Sequence, residues 1–324
     1  MSCCNFLQAI NITLKAAMRN DERVIVLGED VGRLGGVFHA TSGLIAEFGT
    51  ERVLDMPPSA VGIIGTAIGM ALYGLRPIPE VQFADFLYPA FDQIINELAK
   101  YRYRSGGQYA CPVIIRAPVG GGVKGGLYHS QSPEAYFCHT AGLKVVMPAN
   151  PYDAKGLLLS AIRGADPVIF LEPKRLYRAA KGEVPDEDYF IPLGEARIVR
   201  SGTSLTVISY GAMLPSCLEA ADALQPSGIF PEIIDLRTLI PLDLSTLLNS
   251  VQKTGRAVIV HEAPRTSGFG AEIAALLYEH AFLYLESPII RITGYDAPFP
   301  YALESEYLPD ASRVADGIRQ ALAF

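Results

Sequence analysis

The chain has 324 residues, of which 50% are hydrophobic and 19% are charged, and its formal net charge is −7. This length predicts about two domains, each large enough to bury a core. The acidic balance argues against a protein that binds nucleic acid or an anionic membrane through a basic face. The five cysteines form no Cys-x-x-Cys pair, which argues against zinc and disulfide frameworks and favours a reducing compartment.

No segment of the sequence is expected to enter a membrane. The first residues lack the basic stretch and the long apolar run of a signal peptide. The most apolar run, Ala60–Leu75, is shorter than the roughly 18 residues of a spanning helix and is interrupted by glycines. The sequence therefore predicts a soluble protein.

Short β-rich runs alternate with helical patterns in the first part of the chain. The predicted strands are Arg23–Gly28, Arg52–Met56, Ile78–Phe83, Pro112–Arg116, Lys144–Met147 and Val168–Glu172. The predicted helices are Ala60–Tyr73, Asp85–Arg104 and Pro151–Arg163. Near-continuous apolar strands separated by helices are typical of a buried parallel sheet, which predicts the α/β class.

A charged, turn-rich stretch from Lys174 to Gly202 precedes a second alternating series. Its predicted strands are Leu205–Ser209, Glu232–Leu236, Ala257–His261 and Ile289–Ile292. Its predicted helices are Leu214–Leu224, Leu242–Lys253, Ala271–Leu283 and Ser312–Leu322. We therefore expect two α/β domains, at residues 1–190 and 191–324.

The densest group of potentially reactive residues follows the strand predicted at Pro112–Arg116. Glycine occupies most positions from Gly120 to Gly126, which permits unusual backbone angles and close approach to a ligand. The segment matches neither a Walker motif nor Gly-x-Gly-x-x-Gly, so a nucleotide site is not supported. Lys124 and His129 can bind an anion and move a proton. The alternative is a surface loop with an incidental histidine.

The remaining candidates are weaker. His139 and His261 are more consistent with structural roles, although His261 and Glu262 end a predicted strand. Cys138 beside His139 resembles a thiolate pair, but adjacent side chains of a strand point in opposite directions. No Gly-x-Ser-x-Gly turn and no His-x-x-x-His pair occurs in the sequence.

Several segments together resemble the beta subunit of the thiamine-diphosphate-dependent 2-oxoacid dehydrogenase decarboxylase component. They are Val26–Gly32, Gln82–Phe86, Tyr88–Ile94, Tyr103–Gly107, Tyr128–Ala135 and Asp235–Thr238. The resemblance extends in order over essentially the whole chain. His129–Glu134 and Pro173–Arg178 are more similar to the branched-chain (2-oxoisovalerate) members than to the pyruvate members. Pyruvate and acetoin dehydrogenase beta subunits are the alternatives.

The resemblance implies a pyrimidine-binding thiamine-diphosphate domain followed by a transketolase C-terminal-like domain. It implies an α2β2 heterotetramer that decarboxylates a 2-oxoacid oxidatively and acylates the lipoyl group of an acyltransferase core. The alpha subunit would bind Mg²⁺ and the diphosphate, since the Gly-Asp-Gly…Asn signature is absent here. The implied location is the cytoplasm of a bacterium or archaeon, or the mitochondrial matrix if the chain is a mature fragment.

The resemblance also assigns residues by position. His129 would exchange protons during decarboxylation and acyl transfer, and Phe83, Phe86 and His129 would bind the substrate. Phe86 would also stack on the aminopyrimidine ring. The implied cofactor-binding residues are Glu29, Pro58, Ser59, Ala60, Gln82 and Phe86. A potassium ion bound through backbone carbonyls is implied near Val113, Ile114, Ala161, Gly164 and Asp166.

One residue departs from the family pattern. Ala60 occupies the position of the glutamate that would hydrogen-bond N1′ of the aminopyrimidine. Loss of a positioned acid–base group typically lowers a rate by about 10²–10⁴-fold. Three explanations are open: an engineered substitution, a natural variant in which another carboxylate such as Glu29 serves, or a beta-like subunit retained for assembly.

Overall fold

The computed structural model describes residues 2–324, with only the backbone described for Ser2. None of the helices within residues 2–324 combines the length and the hydrophobicity that are needed to span a lipid bilayer. The strands are β1 (Ser2–Asn5), β2 (Val24–Gly28), β3 (Val53–Asp55), β4 (Arg76–Glu80), β5 (Ile114–Val119), β6 (Lys144–Val146), β7 (Val168–Pro173), β8 (Lys181–Val184), β9 (Arg197–Arg200), β10 (Thr206–Ser209), β11 (Glu232–Asp235), β12 (Thr238–Ile240), β13 (Ala257–Pro264) and β14 (Ile290–Gly294).

The α-helices alternate with these strands. They are α1 (Phe6–Asn20), α2 (Leu44–Phe48), α3 (Ala60–Leu72), α4 (Tyr101–Arg104), α5 (Glu134–Cys138), α6 (Pro151–Arg163), α7 (Leu176–Ala179), α8 (Leu214–Leu224), α9 (Leu244–Thr254), α10 (Phe269–Ala281), α11 (Glu304–Tyr307) and α12 (Ala311–Leu322). Side-chain caps fix several helix starts; the Asn150 side chain, for example, accepts a hydrogen bond from the Asp153 N–H at the start of α6.

Two sheets form the cores of the two domains. The first has the strand order β12-β6-β7-β5-β4-β2-β3 and the second has the order β14-β13-β10-β11-β9. Neighbouring strands are parallel except that β12 pairs antiparallel with β6 and β9 pairs antiparallel with β11. Every residue of β2, β5 and β7 is buried, as expected for a parallel sheet covered on both faces.

The β12 strand connects the two domains. It lies in the second half of the sequence, yet it extends the first sheet, with Thr238 opposite Val146. The Met147 N–H also donates to the Arg237 carbonyl at 2.9 Å. Residues 185–196, around the predicted boundary, contain neither helix nor strand.

The ten predicted strands and most of the predicted helices are present, with shifts of a few residues at their ends. The continuous helix predicted at Asp85–Arg104 is wrong. Short 3₁₀ and π turns occupy most of this segment, and α4 is its only regular α-helical element among the described residues. Pro89 lies within this segment and has no N–H to donate to a helical hydrogen bond. The residues after it bond three positions back, as in a 3₁₀ turn: the Ala90 N–H donates to the Leu87 carbonyl and the Phe91 N–H donates to the Tyr88 carbonyl.

Candidate functional site

The candidate site lies where four neighbouring strands of the first sheet end. The strands β5, β4, β2 and β3 are adjacent and parallel, so their carboxyl ends meet at one edge. Ligands of open α/β sheets bind at this edge. The residues that follow β2, β3, β4 and β5 include Glu29, Ala60, Phe86 and His129, respectively. Segments that are distant in sequence are therefore close together in the fold.

A cavity of about 480 Å³ lies at the ends of β2, β3 and β4. All six residues predicted to bind the cofactor line it, together with five others. The lining residues are Glu29, Pro58, Ser59, Ala60, Val61, Ile63, Glu80, Val81, Gln82, Phe86 and Pro89. The structure thus places the predicted cofactor-binding residues around one volume.

The cavity contains one carboxylate that makes no hydrogen bond within the described chain, that of Glu29. Burial, and secondarily the charge of Asp30, raises the pKa of Glu29. The second lining carboxylate, Glu80, accepts a hydrogen bond from Arg116 at 2.7 Å. Ala60 is the first residue of α3 and contributes no polar side-chain atom. Glu29 is therefore the carboxylate available to a ligand in this cavity.

Hydrogen bonds to the last residue of β3 hold the loop that contains Glu29 in place. Asp55, the last residue of β3, accepts hydrogen bonds from the N–H groups of Gly32 at 2.6 Å and Arg33 at 3.0 Å. The Gln82 side chain donates to the Asp30 carboxylate at 3.4 Å. These contacts hold the segment after β2 against the segment after β4 and limit how far Glu29 can move.

His129 lies against the aromatic side of the site. Its ring centroid is 4.6 Å from that of Phe83 and 5.5 Å from that of Phe86, and both pairs are edge-to-face. Phe86 also lines the cavity that contains Glu29. The three predicted substrate-binding residues thus form one group, in which an aliphatic chain can pack beside an imidazole.

The glycine-rich segment after β5 adopts conformations that ordinary side chains disfavour. Gly120 and Gly122 have φ of +79° and +103°, and Lys124 has φ of +53°. A Cβ atom at Gly122 would lie 2.7 Å from the Arg175 Cβ. Glycine is required at this position both by the backbone angle and by the space available.

A buried ion cluster lies beneath the site and was not predicted. Arg116, which is fully buried, donates to Glu172 through Nε at 2.7 Å and to Glu80 through Nη1 at 2.7 Å. The Tyr177 hydroxyl donates to Glu172 at 2.6 Å. Because Glu80, Arg116 and Glu172 belong to β4, β5 and β7, the cluster fixes these three strands relative to one another. Single charged residues within apolar strands were the only sequence signal.

Two more buried ionisable residues near His129 were also missed. Lys174 lies 5.7 Å from the centroid of the Phe83 ring, and burial lowers its pKa to about 8. Burial raises the pKa of Glu134 to about 7, and Glu134 accepts a hydrogen bond from the Tyr210 hydroxyl at 2.9 Å. Tyr210 lies in the second domain, so only the fold could reveal this contact.

Among the described residues, none of the weaker candidates makes an aromatic contact with the His129 ring. His261 is buried, neither ring nitrogen has a hydrogen-bond partner within the described residues, and burial lowers its pKa to about 4. His139 is exposed and lines a larger cleft of about 1030 Å³. Burial raises the pKa of Cys138, which disfavours a thiolate. Cys138 ends helix α5, so the argument from strand geometry was wrong in its premise.

The residues predicted to bind potassium lie at the other end of the strands, near the amino-terminal ends of β5 and β7. The Val113 carbonyl accepts from the Val168 N–H, and the Gly164 carbonyl accepts from Arg76 at 2.8 Å. The Asp166 carboxylate pairs with Arg102 at 2.9 Å and with Lys144 at 3.1 Å. Protein donors thus already occupy part of this ligand set, although each carbonyl retains a second lone pair. Among residues 2–324, no group of three or more His, Cys, Asp or Glu side chains is placed to hold a metal ion.

Comparison with known proteins identifies both halves of the chain. Residues 4–180 match the transketolase pyrimidine binding domain, and residues 194–314 match the transketolase C-terminal domain. The mitochondrial 2-oxoisovalerate dehydrogenase subunit beta of Dictyostelium discoideum is 53% identical over 99% of this chain and 87% of that protein. The pyruvate dehydrogenase E1 component subunit beta of Bacillus subtilis is 47% identical over 100% of both chains.

A solved structure shows the same fold. A chain described as a split gene transketolase, inactive beta4 tetramer, superposes with a TM-score of 0.82 over 98% of both chains, at 24% sequence identity. This likeness concerns the fold alone.

Proposed function

This chain belongs to the beta subunits of the 2-oxoacid dehydrogenase decarboxylase component, and from that premise we propose that, with an alpha subunit, it decarboxylates a branched-chain 2-oxoacid and acylates a lipoyl acyltransferase. One observation carries the proposal. His129 lies against Phe83 and Phe86 beside a cavity lined by all six predicted cofactor-binding residues. The greater identity to the 2-oxoisovalerate relative, 53% against 47%, supports branched-chain substrates. Pyruvate and acetoin are the alternatives.

The cavity residues fit the pyrimidine end of thiamine diphosphate. Phe86 offers a ring face for stacking, and Glu29 offers a carboxylate for a ring nitrogen. When bound, thiamine diphosphate would supply a nucleophilic carbon for the keto group and a sink for the electron pair left behind when CO₂ departs. Mg²⁺ and the diphosphate belong to the alpha subunit in this proposal. Potassium near Val113 and Gly164 stays a prediction, as does the domain boundary at 190.

We assign His129 the movement of protons at the reacting carbonyl and at the lipoyl sulfur. The Phe83 and Phe86 rings exclude water from one side of the imidazole and restrict its orientation. This arrangement suits a general acid–base group that must face a substrate.

Substitution of His129 tests this assignment. We expect His129→Gln to lower acyl transfer to the lipoyl domain by about 10²–10⁴-fold. Binding of thiamine diphosphate, measured by calorimetry, should remain within a few-fold. The matched control is His139→Gln, which changes an exposed histidine outside the group. Equal activity of the two variants would contradict the role of His129.

A subunit retained for assembly is the alternative that Ala60 favours. It predicts a heterotetramer that binds the cofactor but shows no 2-oxoacid-dependent reduction of an artificial electron acceptor. Glu29 in the same cavity argues for an active subunit, because it supplies a carboxylate where Ala60 supplies none. A location in the bacterial or archaeal cytoplasm, or in the mitochondrial matrix, is part of the same proposal.

A further inference from the structure

The loop that leads to His129 is held by carboxylates of the second domain. Glu304, the first residue of α11, accepts hydrogen bonds from the N–H groups of Gly122 and Lys124, each at 3.1 Å. Its two oxygens divide these bonds, Oε1 to Gly122 and Oε2 to Lys124. Glu262 of β13 accepts a further hydrogen bond from the Gly121 N–H. Three amides in four consecutive residues therefore depend on the other domain.

The segment is also held on the far side of His129. The Asp85 carboxylate accepts a hydrogen bond from the Gln131 N–H at 3.3 Å, and Glu134 accepts one from the Tyr210 hydroxyl. The loop amides that bond to Glu304 and Glu262 precede the histidine in sequence, whereas Gln131 and Glu134 follow it. His129 is thus placed between two fixed points.

The carboxylate of Glu304 stabilises a backbone that is unfavourable by itself. Lys124 has φ of +53°, in the left-handed region that residues other than glycine rarely adopt. In this conformation the N–H groups of Gly122 and Lys124 converge on one carboxylate. Charge-assisted hydrogen bonds of this kind are about twice as strong as neutral ones. Without the carboxylate, the two exposed amides would bond to water, which does not favour the strained conformation over others.

A buried lysine lies close to these carboxylates and to the aromatic group around His129. Lys174 is 4% exposed, and its ammonium has no hydrogen-bond partner within the described residues. The charges of Glu262, Asp85 and Glu304 all act on it. Lys174 lies over Phe83, whose ring contacts His129. Lys174 therefore lies between the carboxylates that hold the loop and the aromatic group that contacts His129.

We propose that Glu304 is a positioning residue that fixes the loop Gly120–Lys124 and thereby places His129 against Phe83. The proposal rests on the function proposed for His129. In this proposal, a residue of the second domain positions the histidine that moves protons in the first domain. Glu304 itself touches no reacting atom.

The test uses Glu304→Ala in the assembled alpha–beta complex. We expect kcat for the 2-oxoacid to fall about 10- to 100-fold, because small displacements of a reacting group have effects of this size, while KM changes little. Glu304→Gln, which keeps one acceptor oxygen, should recover part of the loss. The control is Glu306→Ala, an exposed carboxylate two residues away in α11 whose side chain makes no hydrogen bond in the described structure.

A second readout follows the loop without using activity. In Glu304→Ala, the Gly122 and Lys124 amides should exchange with solvent faster, and trypsin should cleave faster after Lys124, than in Glu306→Ala. The double variant Glu304→Ala/His129→Gln should be little slower than His129→Gln alone. If Glu304→Ala does not assemble, Glu304→Gln carries the same comparison.

The outcomes separate the two proposals. Faster exchange together with a lower kcat supports the positioning role. Unchanged exchange, or faster exchange with an unchanged kcat while His129→Gln is impaired, overturns it. If neither His129→Gln nor Glu304→Ala alters turnover although the loop exchanges faster, the role of His129 fails. The positioning role then falls with it, and only the contact between Glu304 and the loop stands.

Discussion

At the scale of single residues, the site depends on which carboxylate faces the cavity. Ala60 contributes no acid, and Glu80 is bound by Arg116 at 2.7 Å. Glu29 remains, and burial with the charge of Asp30 raises its pKa, which favours a group that can hold and release a proton. The departure at Ala60 was visible in the sequence, but only the fold places Glu29 and Ala60 in one cavity.

The first residue-scale prediction is that Glu29 serves in place of the carboxylate that is missing at Ala60. In the alpha–beta complex, Glu29→Gln should lower turnover by about 10²-fold or more, because no other free carboxylate lines the cavity among the described residues. Ala60→Glu should restore much of the activity when added to Glu29→Gln. Turnover is measured with an artificial electron acceptor. Full activity of Glu29→Gln alone would show that Glu29 is not the substitute.

The second residue-scale prediction concerns pH. Burial raises the pKa of Glu134 to about 7 from an ordinary value of 4.5, so the folded chain keeps a proton that the unfolded chain releases. The contribution of Glu134 to the free energy of unfolding is fully present below pH 4.5 and is lost as pH rises through about 7. The difference amounts to about 3 kcal/mol.

Glu134→Gln mimics the protonated side chain and should therefore remove this dependence. We expect its thermal midpoint to fall less than that of the unaltered protein between about pH 5 and pH 8 in calorimetry. An exposed control, Glu306→Gln, should behave like the unaltered protein. Parallel pH curves for all three proteins would contradict the buried, proton-holding role of Glu134.

At the scale of elements, the structure shows what periodicity can and cannot predict. Apolar runs located the central strands, since a parallel sheet buries both faces. The 15-residue helix α1 was missed, although Asn5 and Gln8 form a capping box at its start. The strands β1 and β8, which pair antiparallel with each other, and the antiparallel strands β9 and β12 were also missed. They are three or four residues long and mostly lie at sheet edges, so their sequences carry little pattern.

The ion cluster that joins three strands gives an element-scale prediction. Arg116→Gln leaves Glu80 and Glu172 buried without their cation, and we expect a loss of about 3–5 kcal/mol in the free energy of unfolding. Arg19→Gln, which breaks a pair with Glu47 at an exposed site, should lower the free energy of unfolding far less, because water screens such pairs. Chemical denaturation of both variants provides the measurement. Equal losses would contradict the structural role of the cluster.

At the scale of the whole molecule, residues of the second domain complete the first sheet and contact the segment around the candidate site. The β12 strand extends the first sheet, and Tyr210, Glu262 and Glu304 all reach the segment that contains His129. The sequence predicted two α/β units and identified the family from motifs in chain order. It could not predict these contacts, because residues more than 75 positions apart form them and no periodicity links such positions. The second domain therefore contacts the segment that contains His129.

The most direct measurement is the 2-oxoacid-dependent reduction of an artificial electron acceptor. It uses this chain co-purified with its alpha subunit and supplied with thiamine diphosphate and Mg²⁺. We predict no turnover by either subunit alone, turnover by the pair, and a higher kcat/KM for 2-oxoisovalerate than for pyruvate. Ala60→Glu serves as the companion variant. A pair that binds the cofactor yet reduces no acceptor, both with Ala60 and with Ala60→Glu, would contradict the assignment of this chain as a catalytic subunit.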